Sequence, residues 1–74
     1  PGETIMFTPS QRDFINVSIY TELDNLRKHV KFYQDLIEKE NLVPYKNGYR
    51  QMMESHIAKM EELELLLKMV NTVE

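Results

Sequence analysis

The side chains of this sequence best equipped for chemistry are two histidines, His29 and His56. Neutral imidazole binds divalent metals and exchanges protons near neutral pH. Their possible helpers are few. The chain has no cysteine, which removes thiolate ligands, thiolate nucleophiles and disulfides. Di-iron bundles need Glu-x-x-His pairs on facing helices, and no such pair occurs. The neighbours of His56 on a helical face are Met52, Met53 and Met60; one turn before His29 stands Asn25, not a carboxylate. This setting reads as a packed interior histidine, so neither metal nor cofactor is expected. The motifs G-x-x-x-x-G-K-[ST], G-x-G-x-x-G, G-x-S-x-G and H-E-x-x-H are all missing. The expectation is a protein that is not an enzyme and has no small-molecule substrate.

Composition narrows the class further. Nine Lys and Arg against twelve Asp and Glu leave a formal charge of −3. That excludes a strongly basic nucleic-acid binder and a polyanionic tail. No unbroken apolar run is longer than the three residues of Leu65-Leu66-Leu67, far short of the ~20 residues that span a bilayer, so no membrane association is expected. With no signal peptide in this stretch, the expected compartment is the cytoplasm. The start at Pro1-Gly2 rather than Met reads as a processed or excised chain. Seventy-four residues make one domain at most.

Punctuation then divides the chain. Residues 1–8 show no periodicity and are expected to form an N-terminal arm. Thr8-Pro9-Ser10-Gln11 is a dense helix-start signal, a capping box with proline at the first helical position. Helix 1 is predicted over about 9–40. Asn41-Leu42-Val43-Pro44 is the break, with Asn suited to a left-handed helix end and Pro44 restricting Val43. The turn is placed at about 41–45. Helix 2 is predicted over about 46–72, starting either near Pro44 or after an Asn47 cap.

Apolar spacing places the helices against each other. Helix 1 carries Ile19, Leu23, Leu26, Val30, Tyr33 and Ile37, at alternating steps of four and three. Helix 2 carries Tyr49, Met53, His56, Met60, Leu63, Leu67 and Val70 with the same alternation. Both are heptad seams with a and d positions apolar except at His56. In an antiparallel hairpin, residues at one level have a constant number sum. Ile19 with Leu67, Leu23 with Leu63, Leu26 with Met60, Val30 with His56, Tyr33 with Met53 and Ile37 with Tyr49 all share the midpoint Val43, inside the turn. Asn16 opposite Val70 extends the ladder into a polar end layer. The fold class is therefore all-α, a long antiparallel two-helix hairpin.

A second apolar set lies at the g and c positions: Ile15, Phe32, Leu36, Met52, Leu66, Met69 and Val73. In an antiparallel pair the g edges share one side, so these residues form a second face. An uncovered face of this kind marks an interaction site, and a second copy covering it would give a four-helix bundle. Charge is unevenly spread. The open end (1–26 and 60–74) holds eight acidic and two basic residues, net −6; the turn half (27–59) holds four acidic and seven basic, net +3. Asp24–Lys28, Asp35–Lys39 and Glu64–Lys68 are candidate i,i+4 pairs. Leu42, Tyr45, Lys46 and Arg50 are candidate partner contacts at the turn, unless the turn folds back on the helix ends.

The expected function is a small regulator, adaptor or inhibitor that acts by protein–protein interaction as a homodimer. The alternatives are an oligomerising coiled-coil piece of a larger protein, or a weak nucleic-acid-associated dimer using the basic turn half; the acidic balance disfavours the latter. Size and hairpin form are similar to the short helix-turn-helix phosphatases that act on a sporulation response regulator in spore-forming bacteria. That family carries S-Q-E-L-D on its second helix. The nearest stretch here is Met53-Glu54-Ser55-His56-Ile57, so the likeness is one of architecture and transfers no catalytic residue.

Overall fold

The computed structural model describes residues 7–72. They form two helices, α1 (Pro9–Lys39) and α2 (Val43–Asn71), packed against each other as a hairpin 53 Å long. No strand occurs among the described residues. Residues 1–6 of the expected arm, and Val73 of the expected second face, lie outside them.

Local chemistry sets the ends. Thr8 Oγ1 accepts from the Gln11 N–H at 3.1 Å, and Gln11 Oε1 accepts from the Thr8 N–H at 2.9 Å. These two bonds satisfy amides that a helix start leaves without intrahelical partners. Pro9 opens α1, where its missing N–H costs nothing.

The turn is built differently from the expectation. No described residue has positive φ, so Asn41 does not end α1 in a left-handed conformation. Glu40 is extended instead (φ −83°, ψ 133°), and its Oε1 accepts from both the Asn41 and Leu42 N–H groups at 3.1 Å. The carboxylate supplies acceptors for the turn amides without a left-handed residue. α2 then starts at Val43, ahead of the predicted 46, because Pro44 fits its first turn. Asn47, the alternative cap, instead accepts from Arg50 Nη1 at 3.2 Å.

The interhelical core is narrow. Ile19, Leu23, Leu26 and Val70 are buried, with Leu23 only 1% exposed. Val30, Tyr33, Ile37, Tyr49, Met53, His56, Met60, Leu63 and Leu67 are half-buried between the helices. The fully buried side chains crowd toward the open end. Nearer the turn the seam becomes aromatic, with the Tyr33 ring 6.4 Å from Tyr49 and 5.5 Å from His56.

At the open end the expected pairing of Asn16 with Val70 gives way to Asn16 with Asn71. Asn16 Nδ2 donates to Asn71 Oδ1 at 3.0 Å, and Asn71 Nδ2 donates back to Asn16 Oδ1 at 2.8 Å. Two amides satisfy each other, and Val70 turns into the core. Of the three expected i,i+4 ion pairs, only Asp24–Lys28 closes among the described residues, at 3.3 Å between well-exposed side chains. Such a pair contributes little in water.

Candidate functional site

The g and c side chains divide by exposure. Ile15 and Leu36 are half-buried, while Phe32, Met52, Leu66 and Met69 lie open to solvent, Met69 at 66% and Phe32 at 57%. They form two apolar clusters rather than one continuous stripe. Ile15, Leu66 and Met69 stand at the open end; Phe32, Leu36 and Met52 stand in the turn half. Between them the same heptad positions hold Glu22, Asn25, His29, Ser55, Lys59 and Glu62. A shallow groove of about 560 Å³ runs through this polar belt, lined by buried Leu26 and half-buried Leu63 and by the exposed Glu22, Ser55, Ala58, Lys59 and Glu62.

The belt was legible in the heptad assignment but is easily overlooked when only apolar residues are collected. Phe14, Val17, Tyr20 and Leu65 were missed for a different reason. They lie at b, e and f positions, where a two-stranded seam assigns no apolar role. Phe14, 74% exposed, lines a depression of about 420 Å³ with Phe7 and Ile15 at the open end. The spacing of Phe7 and Phe14, one heptad apart, is the signal that could have found it.

The turn does not fold back onto the helix ends. Leu42, Val43 and Tyr45 are exposed, Arg50 is exposed, and Lys46 is half-buried. Leu42 makes no side-chain cap to α2. These residues form a blunt, partly basic tip.

The two histidines meet across the hairpin. Their ring centroids are 5.3 Å apart with an interplanar angle of 34°. His29 Nδ1 lies 2.8 Å from the Asn25 carbonyl, and His56 Nδ1 lies 2.7 Å from the Met52 carbonyl. A carbonyl only accepts, so each Nδ1 carries the hydrogen. His56 is half-buried in the seam and His29 is exposed on the g edge. No group of three or more His, Cys, Asp or Glu side chains suited to a metal occurs among the described residues.

No family model, curated protein or solved structure matches this chain. Its functional reading therefore comes from its own surface, and the accessible area is the most informative quantity there. The hairpin exposes 6178 Å². A compact monomer of 8.9 kDa is expected to expose about 4800 Å². The slender shape, 53 × 25 × 12 Å, contributes to that excess, and the exposed Phe32, Met52, Leu66 and Met69 lie within it. Among the described residues no helix is long and apolar enough to cross a membrane.

Proposed function

We propose that this hairpin is a non-enzymatic protein–protein interaction module, a small regulator, adaptor or inhibitor, whose working form is a homodimer. Two copies pair through the g and c face into a four-helix bundle. The observation that carries this reading is the exposed Phe32, Met52, Leu66 and Met69, in two clusters on one face, of a two-helix fold with only four buried hydrophobic side chains among the described residues. So narrow a core is marginal for a chain of this length. A partner burying a standard ~800 Å² per side would remove most of the excess area.

Charge favours a second copy as that partner, and one orientation of it. With the hairpins antiparallel, the acidic open end of each meets the basic turn half of the other. In the same alignment Ile15 of one copy comes level with Leu36 of the other, and Glu22 with His29. Apolar cluster meets apolar cluster, and the acidic side of the polar belt meets its basic side. A parallel alignment would instead set Glu22 against Glu22 and −6 against −6, which is repulsive at low salt.

Light-scattering mass at two concentrations tests this, on the natural chain and on Leu66→Glu. The expected mass is about twice 8.9 kDa for the former and a monomer for the latter, with helical circular dichroism retained in both. A natural chain that stays monomeric at both concentrations removes the homodimer. A dimer that survives Leu66→Glu removes the proposed face.

A further inference from the structure

We propose that His29 and His56 together form a binding site for a divalent transition-metal ion, a clasp between α1 and α2. Spacing alone reads His56 as interior packing. What changes the reading is the hydrogen bonding of the rings. Each Nδ1–H is anchored on the backbone carbonyl one turn earlier in its own helix, Asn25 for His29 and Met52 for His56. In the neutral imidazole this fixes the tautomer, so both lone pairs sit on Nε2. An Nδ1–H held by a carbonyl with Nε2 free is the arrangement that metal-bound histidines adopt, because the anchor orients the ring before the metal arrives.

The ring separation is compatible with a shared ion. With a metal–nitrogen distance of about 2.0–2.1 Å, each ring centre stands roughly 3.2 Å from the ion, and two imidazoles at a tetrahedral angle have centres about 5 Å apart. The observed separation is 5.3 Å. The protein supplies two ligands and water completes the shell, since no third His, Cys, Asp or Glu joins the pair among the described residues. Imidazole donors select Zn²⁺, Ni²⁺ or Cu²⁺ over Mg²⁺ and Ca²⁺. The two ligands come from different helices, so the ion binds the closed hairpin and not the unfolded chain, and it stabilises the hairpin by mass action. The site lies within one hairpin and does not depend on the dimer.

The test is thermal unfolding of the 74-residue chain with NiCl₂, ZnCl₂ or MgCl₂, for the natural sequence, His29→Ala and His56→Gln. Nickel calorimetry and a repeat in Leu66→Glu accompany it. The expected result is a higher Tm with nickel and zinc but not magnesium, one nickel ion per chain, and no Tm rise in either histidine variant. Each variant is read against its own metal-free Tm, and loss of either ring should lower nickel affinity by about tenfold or more. No rise in the natural chain, or an undiminished rise in both histidine variants, overturns the site. The rise should persist in Leu66→Glu whether or not the dimer proposal holds; its loss there would overturn a site contained within one hairpin.

Discussion

Asn16 and Asn71 show how a single pair can set where a hairpin ends. Each amide donates to the other across the helices, and Asn71 Nδ2 also reaches the Leu67 carbonyl at 2.7 Å. An amide at an a-type position costs stability against leucine but penalises a slipped register, since slippage leaves donor and acceptor unmatched. A double-mutant cycle of Asn16→Ala and Asn71→Ala should give a coupling energy of about 0.5–1.5 kcal/mol by urea unfolding. Strictly additive single effects would mean that water replaces the pair at no cost. The polar layer at this level was visible in the sequence, because Asn16 follows the a/d spacing of a ladder that is otherwise apolar except at His56. Its true partner was not: neighbours 70 and 71 differ by a helix rotation of about 100°, which number sums cannot resolve. The histidine anchors were hidden for a similar reason. A ring's tautomer depends on which nitrogen meets a carbonyl, and spacing says nothing of that.

At the scale of elements, both helices follow from their start signals and heptad seams. The capping box at Thr8 and Gln11 depends on residue type at fixed offsets, so it was readable directly. The turn was readable only as a location. Its construction rests on the Glu40 carboxylate reaching forward to the next two amides, a local side-chain choice that took the place of a left-handed Asn41. Pro44 likewise decided between two possible starts of α2. Gly48 sits inside that helix without positive φ, and a Cβ added there would meet nothing within 4 Å. A glycine in such a position costs helix stability relative to alanine, through the freedom it retains when unfolded. Gly48→Ala should therefore stabilise the chain by roughly 0.5–1 kcal/mol, seen as a Tm higher by a few degrees. A lower Tm would show that another surface approaches this backbone closely, as a packed second copy could.

For the molecule as a whole, the decisive property is polarity along its length. The open end carries the fully buried core and a net −6; the turn half carries the aromatic seam and a net +3. A hairpin built this way is an electric dipole about 50 Å long, and two of them side by side lower their energy by lying head to tail. Because the chain has no cysteine, the alignment can be read with one spin label per copy. Asn41→Cys places that label at the exposed turn, about sixteen residues from the middle of the g row. In head-to-tail pairing the two labels stand at opposite ends of the bundle, about 45 Å apart at 1.5 Å per residue. In parallel pairing both turns meet and the labels fall within about 20 Å, two interhelical spacings of 8–10 Å. A pulsed dipolar measurement centred near the longer distance supports the charge-directed alignment. A short distance would instead mean that the apolar clusters pair like with like and that packing at the g and c face outweighs charge.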